Sequence, residues 1–486
     1  MTIRRLFTAL FFISLFATSL HDTLDPDMWW HLRTGEYILE EGIPHQDIYS
    51  FTVPDHEWVT HEWASEVVMW GVYQAGGWAG MVLFFALLIT ATFALVYTIT
   101  PGRPFLAAFI GLLAAIASSW AWGARVQIFT LFFTAVFLVL VERVKDGKSG
   151  KRVFWALPLL TMLWVNFHSG YLLGIVVLGV YVVGESLQQW SGRDERVLSW
   201  PAIRLLGLMM VLSFLAAVLN PNGIKIWIYP LLTLGSSSMQ AYILEWQSPD
   251  FHKTIFLPFI LLAALGVLGL VFAQKRPSFT DLLLFGGTAA AGLLSARHIP
   301  LFAIISTPIV ARYLLSSVEE TAVYPILSGQ AVQPSPPRLM QVLNWVVLIT
   351  AVFAALFWTG TVIRDNEIAI NEKYLASAVD YIEESGLAEQ PGYNKYSWGG
   401  YLIWRGIPVF IDGRADVYGD DFFEYYQKTY NVTEEWRVPL DEYDIQYVFT
   451  MKNTPLAVLL EADTNWQQAY EDEVAQIFTR VNEPSQ

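Results

Sequence analysis

The sequence predicts an α-helical polytopic membrane protein that ends in a small soluble α/β domain, and three observations carry that prediction. Of the 486 residues, 54% are hydrophobic and only 15% are charged, against about 25% charged in ordinary soluble domains. Apolar runs at 6–20, 78–98, 105–122, 128–141, 154–167, 171–187, 203–219, 255–273, 279–295, 299–315 and 343–363 approach the length that crosses roughly 30 Å of hydrocarbon. That makes about eleven transmembrane helices. The charge is also unevenly placed: residues 364–486 hold 9 Lys+Arg against 23 Asp+Glu, so the formal charge of −15 belongs almost wholly to the tail.

Taken in order, Arg4 and Arg5 precede the run 6–20. This run reads as a first transmembrane helix rather than the core of a signal peptide, because no small-x-small cleavage site follows. A polar loop, 21–77, comes next. With the amino terminus inside, the cytoplasmic segments hold 15 Lys+Arg and the outer segments before the tail only 5, as the positive-inside rule requires. The expected domains are therefore a transmembrane domain, 1–363, and an extracytoplasmic α/β domain, 364–486, following a Pro-rich cytoplasmic linker at 328–338. Within the tail the spacing predicts helices at 372–385, 420–430 and 454–461, and strands at 401–404, 409–411 and 447–450.

Composition also excludes. There is no cysteine, hence no disulfide, thiolate zinc site or cysteine nucleophile. No basic patch is large enough for nucleic acid. The run Lys145-Asp-Gly-Lys-Ser-Gly-Lys151 has the wrong spacing for a phosphate loop, and His61-Glu62 lacks the second histidine of a zinc-protease motif.

The expected topology places most unusual polar groups on the outer side. These are Asp25-Pro26-Asp27 with His31 and Arg33, then Asp47, Arg125, Asn166 and His168, Asn220 and Asn222, Glu245, Asp250, Arg297 and His298. Ionisable groups at span ends that face a common cavity mark a site, since exposure to lipid would cost each about 2.5–3.5 kcal/mol on insertion scales. Asp25-Pro26-Asp27 is also an ordinary helix start, with Asp25 as N-cap and Pro26 at the first helical position. Trp29, Trp30 and Tyr37 fit interfacial anchors. A cap and a catalytic carboxylate are compatible, because a helix start holds its side chains rigidly.

An acidic motif after the first span, an amphipathic helix, Gly42-x-Pro44-x-x-Asp47 and Tyr49-Ser50-Phe51 together resemble the first outer loop of GT-C glycosyltransferases. In the tail, Tyr396-Ser-Trp-Gly-Gly-Tyr401 followed by Phe410-Ile-Asp-Gly-Arg-Ala-Asp416 is similar in layout to the Trp-Trp-Asp-Tyr-Gly region of oligosaccharyltransferases. Trp398-Gly399 lacks that motif's aspartate, which leaves the acceptor open among glycan, lipid and protein.

The resemblance implies transfer of a sugar or glycan from a polyprenyl-phosphate-linked donor at the extracytoplasmic face, with the bilayer as the other partner. It makes Asp25 and Asp27 the catalytic pair. Attack on an anomeric carbon needs a base, and the leaving phosphate needs cations, for which Arg125, Arg297 and His298 are the candidates. His31, Arg33, Asp47, His168, Glu245, Trp398, Asp412 and Arg414 complete the expected substrate-binding set. Asp25, Asp27 and Asp47 offer hard oxygen ligands for Mg2+ or Mn2+. Asp412 and Arg414 fit a salt-bridged turn equally well. The competing classes are a non-catalytic membrane scaffold and a lipid-linked glycan transporter, the latter expected to carry mid-membrane charges in paired halves.

Overall fold

A computed structural model describes residues 1–192, 196–331, 336–370 and 374–481. Arg193 of the orientation count, Pro334 of the linker and Glu372 at the start of the expected helix 372–385 lie outside them. The chain forms two compact units.

The first unit comprises Met1–His21, Val82–Pro230 and Ile243–Val362. All eleven apolar runs become helix, because each is a stretch of helix-compatible residues whose backbone polar groups must be satisfied internally in lipid. Among the described residues seven helical segments are long and apolar enough to cross a membrane: Trp63–Ile99, Gln127–Lys145, Tyr171–Ser191, Trp200–Leu219, Thr254–Phe272, Ala296–Ser317 and Arg338–Ile368. Ile3–Ser19, Phe105–Ser118, Ala156–Phe167 and Phe279–Leu294 are shorter. Trp63–Ile99 breaks at Gly77 (φ 57°, ψ −150°), where the expected span begins.

Helix Ile299–Ser317 is the hub, packed against Leu257–Phe272, Phe279–Leu294, Phe105–Ser118 and Gln127–Lys145. Its Phe302 is fully buried, 5.2 Å from Phe259 and 5.5 Å from Phe285 between ring centroids. Arg338–Ile368 is the opposite case, with Phe353 68% and Phe357 78% exposed, as suits side chains whose solvent is hydrocarbon. Charged groups cross-link the bundle. Arg312 pairs with Asp281 (2.7 Å) and Glu142 (2.9 Å), Arg196 with Asp146 (2.8 Å) and Glu142, and Lys145 with Glu185 (2.6 Å). Each of these buried carboxylates thus has a cation, without which its desolvation would be strongly unfavourable.

The second unit comprises Asp22–Met81, Leu231–Tyr242 and Ile363–Gln486, so the first loop belongs with the tail. Its sheet has the order β1-β2-β4-β3, with β1 Gly392–Asn394, β2 Tyr447–Met451, β3 Trp466–Glu471 and β4 Ala475–Arg480. β1 runs parallel to β2, and the other pairs are antiparallel. The expected strand at 447–450 and the expected helices near 376–384, 415–430 and 455–462 form. The expected strand 401–404 is instead helix Gly399–Trp404, and 409–411 contributes only a bridge from Val409 to Ser50. Short apolar runs do not by themselves distinguish helix from strand. The segment Leu231–Tyr242 is tied to the tail by Asp420, which accepts hydrogen bonds from Ser236 Oγ (2.5 Å), Ser237 N (3.0 Å) and Ser237 Oγ (3.0 Å).

Candidate active site

In the second unit, helix Met28–Glu41 carries the acidic motif at its start. The N-cap position falls at Asp27 rather than Asp25 and has no side-chain cap bond. Asp25 Oδ1 instead accepts from Asp27 N (3.0 Å), while the Asp25 carbonyl accepts from Met28 N (3.2 Å). The two carboxylates are thereby fixed relative to each other one turn before the helix proper. Asp27 Oδ1 also accepts from Trp30 Nε1 (3.2 Å). Both aspartates are half-buried. Gly413 approaches Asp27 so closely that a Cβ there would overlap Oδ1. Only glycine admits the carboxylate at that place.

The next helical residues anchor this start. Trp29 is fully buried, 4.7 Å from Tyr401, 5.3 Å from Trp78 and 5.6 Å from Tyr374 between centroids. His31 is buried beneath the Trp30 ring, with Nδ1 3.3 Å from Glu66 Oε1 and Nε2 3.8 Å from Glu62 Oε2. Glu62 Oε1 lies 3.0 Å from His61 Nε2. Burial alone would lower the His61 pKa, but Glu62 and then Asp416 outweigh it and push it up to about 9. His31 is raised in the same way, with Glu66 and Glu62 overcoming its burial. Burial raises the Asp416 pKa despite the opposing charge of His61.

Several expected binding residues serve the architecture of this unit. Arg414 grips Asp412 in two-pronged fashion (Nε to Oδ1 2.8 Å, Nη2 to Oδ2 2.7 Å), and its Nη1 lies 2.7 Å from Asp47 Oδ1. Its guanidinium lies 4.5 Å from the Trp58 ring and 5.0 Å from Tyr49. Asp412 also accepts from Tyr418 Oη (2.6 Å) and Arg414 N (2.9 Å). Asp47 accepts from Tyr49 N (3.2 Å), Ser50 N (3.0 Å) and Ser50 Oγ. The three side chains are almost wholly inaccessible. Trp398 packs on Phe449 of β2 at 4.6 Å. Arg33 faces outward and pairs with Glu36.

The expected ligand set Asp25, Asp27 and Asp47 is not assembled for a metal. Both Asp47 oxygens are committed to Arg414 and the 47–50 turn. Among the described residues no group of three or more His, Asp or Glu side chains is arranged to hold an ion.

In the first unit, Arg125 Nη2 lies 2.5 Å from Glu245 Oε1, and the Arg297 guanidinium is 4.2 Å from the Trp246 ring. Their loops are joined by Ala296 N to the Gln247 carbonyl (3.0 Å) and Ser295 Oγ to the Glu245 carbonyl (3.1 Å). His298 follows Arg297 directly. His168 is buried away from these loops' hydrogen bonds, its Nδ1 2.8 Å from Thr130 Oγ1 and accepting from Gly170 N (2.9 Å). Asn220 shapes its loop, donating to the Val165 carbonyl (3.1 Å) and to Asn166 Oδ1 (3.2 Å).

Sequence reasoning did not find Glu66 or the Tyr49–Trp58 enclosure of Arg414. A signal for Glu66 is present, since Glu62 and Glu66 are one helical turn apart and present two carboxylates to the same neighbour.

The path of the backbone is similar to that of solved structures with the GT-C fold. The chain is similar over 93% of its length, and 69% of the other chain, to the Archaeoglobus fulgidus oligosaccharyltransferase tethered to an acceptor peptide (TM-score 0.53, 13% identity). It is similar over 92% of its length and 69% of the other chain to the same organism's oligosaccharyltransferase AglB with an inhibitory peptide and a dolichol-phosphate (TM-score 0.51, 10% identity). Over 98% of both chains it is similar to ArnT from Cupriavidus metallidurans bound to undecaprenyl phosphate (TM-score 0.52, 13% identity). No protein family and no curated protein matches the sequence.

Proposed function

We propose that this protein is a membrane glycosyltransferase that moves a sugar or glycan from a polyprenyl-phosphate-linked donor to an acceptor at the extracytoplasmic face. The observation that carries this reading is the aspartate pair, half-buried yet fixed, in a chain with the GT-C fold. Asp25 and Asp27 each accept a hydrogen bond at Oδ1, and we assign proton transfer to their carboxylates. As the acceptor's oxygen or nitrogen bonds to the anomeric carbon, its proton passes to the carboxylate. The bond from that carbon to the phosphate oxygen breaks, and its electron pair leaves with the polyprenyl phosphate. Arg125, Arg297 and His298 are assigned to the phosphate charge, the type of fixed electrostatic stabilisation that lowers such barriers.

Replacing Asp25 and Asp27 singly by Asn, and measuring transfer from a polyprenyl-phosphate sugar in membranes, tests the assignment. Loss of a general base lowers the rate about 10²–10⁴-fold with unchanged thermal unfolding. Full activity in both well-folded variants would remove the aspartates from the chemistry. The same reading sets the amino terminus in the cytoplasm and 364–486 outside. A periplasmically active phosphatase fused after the tail should be active, and an inactive fusion would reverse the orientation.

A further inference from the structure

The first unit contains an open cavity of about 690 Å3 whose wall includes Arg4, Arg5, Thr8, Tyr97, Arg103 and Ser328, the three arginines being exposed. Its volume falls within the roughly 300–1,000 Å3 of ligand sites. No Asp or Glu lines it. Arg196, Arg312 and Lys145 are each paired with carboxylates, whereas Arg4, Arg5 and Arg103 have no carboxylate partner among the described residues. Three guanidinium groups on one cavity repel one another, and an anion would reverse that cost.

The backbone adds to the same field. Helices Ile3–Ser19 and Phe105–Ser118 pack side by side at their starts, with Phe7 5.0 Å from Phe105. A helix start favours an anion, although in the first of these helices Thr2 Oγ1 already accepts from Arg5 N (3.4 Å). Pro104 at the N-cap of the second helix supplies no side-chain cap. Next to the lining residue Ser328, Gly329 (φ +69°) sits so close to the Arg103 carbonyl oxygen that a Cβ there would strike it. Arg4 Nη2 donates to the Ala331 carbonyl (3.3 Å), which fixes one cation at the rim. Ala9, Tyr97, Pro101 and Pro104 give the cavity an apolar part of its lining.

We infer that this cavity binds a phosphate-bearing anion, of the chemistry presented by an anionic phospholipid headgroup or by free phosphate. Under the orientation proposed above it lies on the cytoplasmic side, away from the face assigned to glycan transfer. A basic pocket among membrane helices on that side matches headgroup recognition. The site is independent of the aspartate chemistry, and its test does not involve transfer.

The full chain in neutral detergent, titrated with phosphatidylglycerol, phosphatidylcholine or inorganic phosphate and followed by native mass spectrometry, provides the test. Retention of phosphatidylglycerol over phosphatidylcholine is expected. Arg5→Gln and Arg103→Gln should each weaken it about fivefold, from about 1 kcal/mol per basic residue. Phosphatidylglycerol retention that millimolar phosphate does not displace identifies the lipid headgroup. Tight retention of phosphate itself, lost in the same variants, identifies free phosphate. Equal retention of both lipids together with no phosphate binding, or affinities unchanged in both variants, overturns the inference. Should the variants fold poorly, a photoreactive phosphatidylglycerol on the unaltered chain decides it. Labelling concentrated at Thr8, Ala9 and Tyr97 supports the site, and labelling spread along the exposed helix Arg338–Ile368 overturns it.

Discussion

Arg414 shows how a single residue can hold a unit together. It joins Asp47 of the first loop to Asp412 of the tail, enclosed by two aromatic rings. Replacing it by Met leaves two buried carboxylates without their cation, a loss of about 3–5 kcal/mol. Thermal unfolding of the second unit in detergent should fall accordingly, and an unchanged midpoint would remove Arg414 from the framework. His61 gives a pH signature. Its folded pKa of about 9 stands above the ordinary 6.5, so its contribution is complete below pH 6.5 and is lost as pH rises through 9. Unfolding midpoints should decline between pH 7 and 10, and His61→Gln should flatten that decline. At this scale the sequence singled out Asp25 and Asp27 because they stand two residues apart in a charge-poor chain. It did not reveal that Asp47 and Arg414 meet, since nothing in local spacing records a contact between distant segments.

Helices were more legible than individual contacts. Apolar runs in a membrane protein have one economical backbone solution, and all eleven adopt it. The tail was harder. β3 alternates little and exposes Gln467 and Gln468, whereas Tyr401–Trp404 is apolar enough for a strand but coils into helix Gly399–Trp404. What separates helices from one another is how they pack. Phe302→Ala on the buried hub helix should cost about 3–5 kcal/mol by leaving a cavity against Phe259 and Phe285. Phe353→Ala on Arg338–Ile368 should change stability by no more than about 0.5 kcal/mol. Parallel unfolding measurements in the same detergent check the pair, and equal losses would show that burial does not rank these helices.

Across the whole molecule, the composition already separated a membrane part from an acidic tail. It did not show that the tail's compact unit includes Asp22–Met81 and Leu231–Tyr242. A boundary drawn from hydropathy follows the solvent each stretch prefers, while a folding unit follows which stretches bury one another. The likeness to the solved structures likewise concerns the path of the backbone.

This discontinuity has a consequence for how the protein is made. The segment carrying Asp25, Asp27 and Asp47 emerges from the ribosome early, but its partners Asp412, Arg414 and Gly413 are encoded near the end of the message. At about 5–20 residues per second, the early segment waits on the order of a quarter of a minute to a minute before it can close. During that interval Trp29 and Trp30 have no enclosure from the tail. Biogenesis of this chain therefore includes a period in which the first-loop segment is complete in sequence but not yet folded.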